Sequence, residues 1–412
     1  MQEIEGLGAE IEDAWRAAQW RAEDFAPIAY AALAGRALPV NLSIDRIFRW
    51  FASSPQIPHQ PQPATFGEPP IRLYSGRRFY IEALFWMDGT TSIHQHGFSG
   101  AFQVLLGGSI HTTYTFERSE VITRALVLGK LTANHSELLR AGDVRSIVSG
   151  DRFIHSLFHL ERPSVTLVVR TRHDAGTDPQ YSYRVPGIAF DPFASDERMS
   201  PLLRLLGVLD PRSPDTATLL ADVIAHADLG SVVAILMTWF ALRPVDPHAA
   251  EALLAIVAQR HRALATNLRS ALQEARRQAL IIHRRRSHHR AEHRFFLALL
   301  LNVRDREPIL RLVEQQYPGR DPVDRIVGWI EQLTAVQPAD PDANGAGRDE
   351  YELGEGELKV LRHLLQQRSP DQVVAALHEE YDDIEHQRPE ILELCASLAS
   401  SVLFQPLLRV QP

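Results

Sequence analysis

Gly89-Thr-Thr-Ser-Ile-His94-Gln-His96-Gly-Phe-Ser-Gly-Ala101-Phe-Gln-Val-Leu-Leu-Gly-Gly108 is the stretch whose reading decides the fold. Its apolar and β-branched residues between glycines suit short strands. In a strand successive side chains point to opposite faces, so His94 and His96 project the same way while Ile93 and Gln95 project the other. Two imidazoles then share one pocket, and neutral imidazole nitrogen suits Fe, Zn, Ni and Cu. By itself such a pair is more often a satisfied surface or core feature than a metal site. A second stretch, Gly142-Asp-Val-Arg-Ser-Ile-Val-Ser-Gly150-Asp-Arg-Phe-Ile-His155-Ser-Leu-Phe-His159, changes the balance by supplying a third histidine after a turn.

Together the two stretches resemble the paired motifs of the cupin superfamily, Gly-x5-His-x-His-x3-4-Glu-x6-Gly and Gly-x5-Pro-x-Gly-x2-His-x3-Asn. The departures are specific. Gly89 stands one residue too close to His94, His155 comes late after Gly150, and the proline and asparagine of the second motif are missing. The glutamate position, five residues after His96 and ahead of a correctly placed Gly108, holds Ala101. The resemblance therefore implies a β-barrel with a ligand set of His94, His96 and His155 and no carboxylate.

Three-histidine cupins are similar to one branch in particular, the cysteine dioxygenase-like thiol dioxygenases. Phe79-Tyr-Ile-Glu-Ala-Leu-Phe-Trp86 leading into Ser92-Ile93-His94-Gln95-His96 resembles that family's apolar strand ending in Trp before Ser-Ile-His-x-His. The resemblance covers roughly residues 70 to 172. The family's Ser-x-His-x-Tyr strand corresponds by position to Thr166-Leu-Val168-Val-Arg170, which keeps neither the His nor the Tyr. Its crosslinking cysteine would fall at Ala101, and the chain's one cysteine is Cys395. The metal scaffold survives this comparison better than specificity for cysteine does.

Working outward, 412 residues exceed one ordinary core, and 45% hydrophobic with 23% charged residues describes a globular chain. A net charge of -8 argues against general nucleic-acid affinity. A single cysteine permits no internal disulfide and fits a reducing cytoplasm. The sequence starts Met-Gln-Glu-Ile-Glu, without the features of a signal peptide, and contains no run of about 18 apolar residues. The expectation is a cytoplasmic protein with no membrane segment.

The fold class expected is α+β: an N-terminal cupin-type β-barrel with a short helical wrap, followed by a mainly α-helical C-terminal domain. Residues 1–194 form the cupin domain, with a helical wrap over 1–52, a proline-rich connector over 53–70 and the barrel over 71–194. Ile4, Leu7, Ile11, Trp15 and Ala18 recur at helical spacing in the wrap. Strands are expected at 71–75, 79–86, 91–96, 101–106, 109–117, 121–129, 143–148, 153–159 and 164–171. Residues 195–335 read as an α-helical domain with one long helix over 247–282. Residues 336–354 read as a linker and 355–412 as a small helical module. Asp246-Pro247 and Asp321-Pro322 put a cap residue before a first-turn proline. In the basic run after His283, His289-x-x-Glu292-His293 has the order of inverted zinc peptidases, but we read the run as a solvated helix junction.

For substrate contacts, Thr166, Val168 and Arg170 share one strand face, and a guanidinium there offers a planar, bidentate fit to a carboxylate or phosphate. Arg77, before the Phe79 strand, stands roughly where the resembling family places its carboxylate-binding arginine, with Arg72 and Arg78 as competitors. His159, four residues beyond His155, and Gln103, on the parity of Ala101, are candidate donors that orient a ligand. Tyr80, Tyr114, Tyr181 and Tyr183 are candidates for the missing family tyrosine.

The resemblance implies a non-haem Fe(II)-dependent oxygenase acting on a small anionic, thiol-containing or related substrate with O2. Zn, Mn or Ni are alternatives for the ion. Two other classes remain open: a non-redox metal-dependent cupin hydrolase or isomerase, and a ligand-sensing cupin protein whose helical half binds a protein partner or self-associates. The helical half of more than 200 residues, far more than a thiol dioxygenase requires, favours the last.

Overall fold

The computed structural model describes residues 1–60, 67, 69–87, 89–90, 92–194, 197–210, 213–242, 247–334, 353–381, 385–401 and 403–408. The chain divides into two compact units, Met1–Arg276 and Arg277–Pro412. The first opens with helices α1 (Gln2–Ala17), α2 (Ala22–Ala34), α3 (Leu38–Asn41) and α4 (Ile44–Ser53). Twelve strands follow among the described residues: β1 (Pro70–Ser75), β2 (Phe79–Trp86), β3 (Gly89–Thr90), β4 (Ile93–His96), β5 (Gly100–Leu106), β6 (Ser109–Thr123), β7 (Leu126–Leu139), β8 (Val144–Ile147), β9 (Gly150–His159), β10 (Ser164–Thr171), β11 (Ser182–Arg184) and β12 (Ile188–Phe190).

One sheet has the order β1-β2-β10-β5-β8 and the other β3-β9-β4-β11-β12-β7-β6. An extra pairing between β9 and β6 joins six strands of the second sheet into a closed, cupin-like barrel. Strand alternation sorts the side chains into layers. On β10, Val165, Leu167 and Val169 face α1 to α4 in one apolar cluster with Ile4, Leu7, Ile11 and Phe25. Val168 faces the other way, into a second cluster with Phe98, Phe102, Val104, Ile147, Leu139 and Leu157, which fills the space between the two sheets. A third cluster, Tyr114, Val127, Ile154, Tyr181, Tyr183 and Ala189, packs behind β9 and β6.

The expected strands over 109–117 and 121–129 are one long hairpin instead. β6 runs to Thr123, the turn falls at Arg124-Ala125, and β7 continues to Leu139, beyond the strand end expected at 129. Lys130 and Thr132 lie between better-covered residues there, a one-sided pattern that a half-exposed ribbon produces.

The expected helical domain starting at 195 also differs. α5 (Met199–Leu206), α6 (Pro214–His226), α7 (Leu229–Leu242), α8 (Pro247–Arg260) and α9 (Arg262–Ser287) follow the strands. Their apolar residues Leu206, Leu220, Val232, Leu236, Leu254 and Leu268 form one core with Leu126 and Leu128 of β7 and Ile188 of β12. Helices that bury their stripe on the barrel belong to its unit, so the division falls at Arg276/Arg277 and not near 195. The long helix expected over 247–282 breaks at His261, whose Nδ1 accepts from the Leu264 amide at 3.1 Å and so starts α9 afresh.

The second unit contains α10 (Ala291–Asn302), α11 (Arg306–Gln316), α12 (Pro322–Thr334), α13 (Glu355–Leu365), α14 (Pro370–Glu380), α15 (Arg388–Ser400) and α16 (Gln405–Leu408). Asp321 caps α12 through the amides of Val323 and Asp324, as its position before Pro322 suggested. The basic run is partly buried: Arg277 and Arg284 donate to the carbonyls of Leu300 and Leu333, backbone acceptors that the ends of α10 and α12 leave open, and Arg285 donates to the carbonyl of Arg294. Nearly all of the expected linker, and Asp246, lie outside the described residues. Among the described residues no helix is long and apolar enough to cross a membrane.

Candidate metal centre

The register explains why three histidines distant in sequence meet. β4 pairs antiparallel with β9, placing His94 opposite His155, and a register shift between His94 and His96 sets His96 opposite Gly150. The ligand atoms of His94, His96 and His155 all lie within 4.8 Å of one another, and all three residues are buried. Gln95, between the first two, turns to the opposite face, donates to the Pro179 carbonyl at 2.7 Å and accepts from the Tyr183 hydroxyl. Among the described residues this is the one group of three or more histidine, cysteine or acidic residues arranged to hold an ion. His289, Glu292 and His293 do not assemble: the His293 ring meets Gln332 Oε1 at 3.0 Å, and Glu292 pairs with Arg290.

The donor set fits a divalent metal. His96 Nε2 and His155 Nε2 are 2.9 Å apart. That is about the separation of two imidazole nitrogens sharing one ion at a right angle, given metal–nitrogen distances of roughly 2.1 Å. His94 Nδ1 donates to the Ser92 carbonyl at 2.7 Å, which puts the ring's lone pair on Nε2. His96 Nδ1 is buried without a partner, so nothing in the fold demands that its Nε2 be protonated. Burial holds the His94 pKa down at about 4, opposed by the Ser92 carbonyl. Burial first, and then the cost of charging a ring beside other imidazoles and, for His96, beside Arg170, hold His96 and His155 well below the usual histidine range. All three are therefore neutral ligands at pH 7. Phe98 and Phe153 lie against the histidines, with ring centroids 4.5 Å from His96 and from His155 respectively, and Phe102 stands 6.2 Å from His155, so the site is walled by hydrocarbon.

The position expected to carry a carboxylate is decided by strand parity. Ala101 and Leu105 belong to the cluster under the helices, whereas Phe102 and Val104 face the histidines. Gln103 shares the parity of Ala101 and donates to the Gly142 carbonyl at 3.2 Å. It is therefore not brought to the histidines, a correction that follows from the two-residue period of β5. Nor does His159 touch the three. Its ring stacks on Trp86 at 4.5 Å, and its Nδ1 lies 2.8 Å from the Ser164 hydroxyl and 3.1 Å from that of Ser109. Burial pushes its pKa down to about 3.

Arg170 projects toward the site. Its guanidinium carbon sits 3.4 Å from the centroid of Phe98, which itself packs on His96, and 5.2 Å from that of Tyr80. Burial lowers its pKa from the ordinary arginine value, with Tyr80 and Glu82 opposing the shift. No ion pair to Arg170 occurs among the described residues. Arg77, by contrast, is exposed in the turn between β1 and β2, and its carbonyl accepts from Arg172. The competitor Arg72 is the one that reaches inward, pairing with buried Glu82 at 2.9 Å and lying 4.2 Å from the Tyr80 centroid. Of the four tyrosines, Tyr80 alone lies beside this arginine cluster. Tyr114 meets Ser156, Tyr181 donates to the Arg124 carbonyl and Tyr183 to Gln95.

One residue escaped the sequence reading. His111 of β6 is buried, and its Nε2 lies 3.1 Å from His155 Nδ1, while its Nδ1 lies 2.9 Å from Glu137 Oε1. The available signal was parity: Ser109 and His111 share a strand face, and Glu137 stands directly opposite His111 in the hairpin.

The fold and site define a cupin-like barrel carrying a candidate three-histidine centre for a divalent metal. No protein-family model matches the chain, and no curated protein matches it. Among solved structures it is similar to a cupin-2 domain protein from Shewanella frigidimarina (13% identity, covering 26% of this chain and 85% of that one, TM-score 0.19). It is also similar to hydroquinone 1,2-dioxygenase from Sphingomonas sp. TTNP3 (12%, 26% and 68%, TM-score 0.20) and to an oxalate oxidase (18%, 39% and 75%, TM-score 0.21). Likeness at this level carries no information on activity.

Proposed function

We propose that the barrel is a non-haem Fe(II)-dependent oxygenase acting on a small organic anion, with thiol-bearing acids among the candidates through the resemblance to thiol dioxygenases. The observation that carries this reading is the convergence of three buried, neutral histidines with no carboxylate among them, beside an arginine that has no ion-pair partner among the described residues. When bound, Fe(II) supplies the one-electron chemistry with O2 that side chains cannot perform. Neutral ligands leave the dication's charge uncompensated, which favours an anionic substrate at the same centre. Arg170, with its guanidinium carbon 3.4 Å from the Phe98 centroid and the Tyr80 ring beside it, would take the substrate's anionic group. Phe98, Phe102 and Phe153 exclude water, so these interactions act in a low dielectric.

The test is metal analysis of protein purified without chelator, followed by O2 uptake over a panel of thiols and small organic anions. His94→Ala, His96→Ala and His155→Ala should each strip most of the metal from a folded protein. Full occupancy in all three would overturn the site. An iron-loaded protein that consumes no O2 with any compound would overturn the oxygenase in favour of Lewis-acid chemistry at the same ion.

A further inference from the structure

We infer that His111, Glu137 and Arg145 form a positioning relay that fixes the tautomer and orientation of the metal ligand His155. The inference rests on the metal-site reading above and deepens it. An ionised carboxylate only accepts hydrogen bonds, so the 2.9 Å contact between His111 Nδ1 and Glu137 Oε1 places the His111 proton on Nδ1. Neutral His111 then has a lone pair on Nε2. At 3.1 Å from His155 Nδ1, that lone pair requires His155 to donate from Nδ1. The unprotonated nitrogen of His155 is thereby Nε2, the atom turned toward His96.

The far end of the relay is anchored as firmly. Arg145 grips Glu137 with Nε on Oε1 at 2.8 Å and Nη2 on Oε2. Burial works to raise the Glu137 pKa, but the Arg145 and His111 hydrogen bonds overcome it and hold the carboxyl at about 2, so it stays an acceptor at any working pH. The residues also come from different parts of the fold. His111 and Glu137 are paired across the β6–β7 hairpin of one sheet, and Arg145 lies on β8 of the other. The relay therefore ties the two sheets together on the side of His155 opposite the metal position. That same placement distinguishes it from a fourth ligand, since His111 meets the His155 ring at Nδ1 while His96 meets it at Nε2. Partners that orient a ligating imidazole in this way typically control metal affinity by 10- to 100-fold.

Co(II) titration of the metal-free full chain, followed by visible absorption and by equilibrium dialysis, tests the relay without any turnover. His111→Leu removes the acceptor and should weaken Co(II) binding about 10- to 100-fold, with an altered ligand-field spectrum. His111→Gln offers an amide oxygen to His155 Nδ1 and should recover most of the affinity and the wild-type spectrum. Glu137→Leu, at a part-buried position, removes the acceptor for His111 Nδ1, should shift affinity in the same direction as His111→Leu and covers the case in which that variant does not fold. Wild-type affinity and spectrum in folded His111→Leu, or in folded Glu137→Leu, would overturn the relay, and a His111→Gln protein as weak as His111→Leu would make His111 a direct ligand instead. Undiminished Co(II) binding by His94→Ala would defeat the metal-site reading itself, a separate outcome.

Discussion

Acid should weaken the barrel through His159, and the size of the effect follows from the site. The ring is fully buried, stacks on Trp86 and has Nε2 without a hydrogen-bond partner. Its pKa falls from 6.5 in the unfolded chain to about 3 in the fold because burial penalises the charged form. A folded pKa below the unfolded one gives stability that is complete above the unfolded value and is lost as pH falls toward the folded one. Between pH 7 and pH 5 the unfolded chain takes up the proton and the folded one does not. At 1.36 kcal/mol per pH unit below 6.5, the loss is about 2 kcal/mol by pH 5. The other buried histidines add losses of the same sign, so the measurement is a difference. His159→Phe keeps an aromatic ring on Trp86 and cannot be protonated. Hydrogen exchange of the β9 amides, read by mass spectrometry on metal-free protein and corrected for intrinsic rates, reports the opening free energy of the barrel alone. The variant should lose about 2 kcal/mol less than wild type on going from pH 7 to pH 5. Equal losses would refute the neutral, buried imidazole, whatever the variant's stability at pH 7.

Two further outcomes follow from the arginines. Arg72→Met strands the Glu82 carboxylate in the interior and should cost about 3–5 kcal/mol, whereas the double change Arg72→Met with Glu82→Leu should recover most of it; urea unfolding of both variants checks this, and equal stability of the two would remove the case for a buried charge pair. Arg170→Ala should weaken substrate binding at least about tenfold, from the roughly 2–5 kcal/mol of a buried charge left unpaired, while metal content stays at the wild-type level. Arg170→Lys should not restore binding, because an ammonium lacks the planar fork; calorimetric titration of the best O2-uptake substrate reads both.

The helical wrap, the barrel and its passage to helices were legible from sequence because periodicity is a local property. Ile4, Leu7 and Ile11 recur at one helical spacing, and they line the face that α1 buries. His94 and His96 share a face for the same local reason, and the motif spacing made His155 their partner. Parity failed where the sequence gives alternation but no sign. Gln103 and Phe102 sit on adjacent positions of β5, and only packing against α1 to α4 decides which of them faces the histidines. The full length of the hairpin was not legible because the polar residues on the exposed face of β7 interrupt the apolar runs that mark a strand.

What the sequence by itself determined is the identity of the elements and the ligand-bearing strands, since those follow from side-chain period and backbone preference over a few residues. Only the tertiary structure decided which arginine enters the pocket. Arg77 and Arg72 are five residues apart, and the antiparallel register of β1 with β2 sets Arg72 opposite Glu82 while leaving Arg77 in the turn. The same holds for His111 and for the helices over 199–276, whose place is fixed by contacts between segments far apart in the chain. Strand register and the burial of one face against another are long-range choices. They are settled by the summed apolar area that the whole chain can remove from water, a quantity no short window of sequence contains.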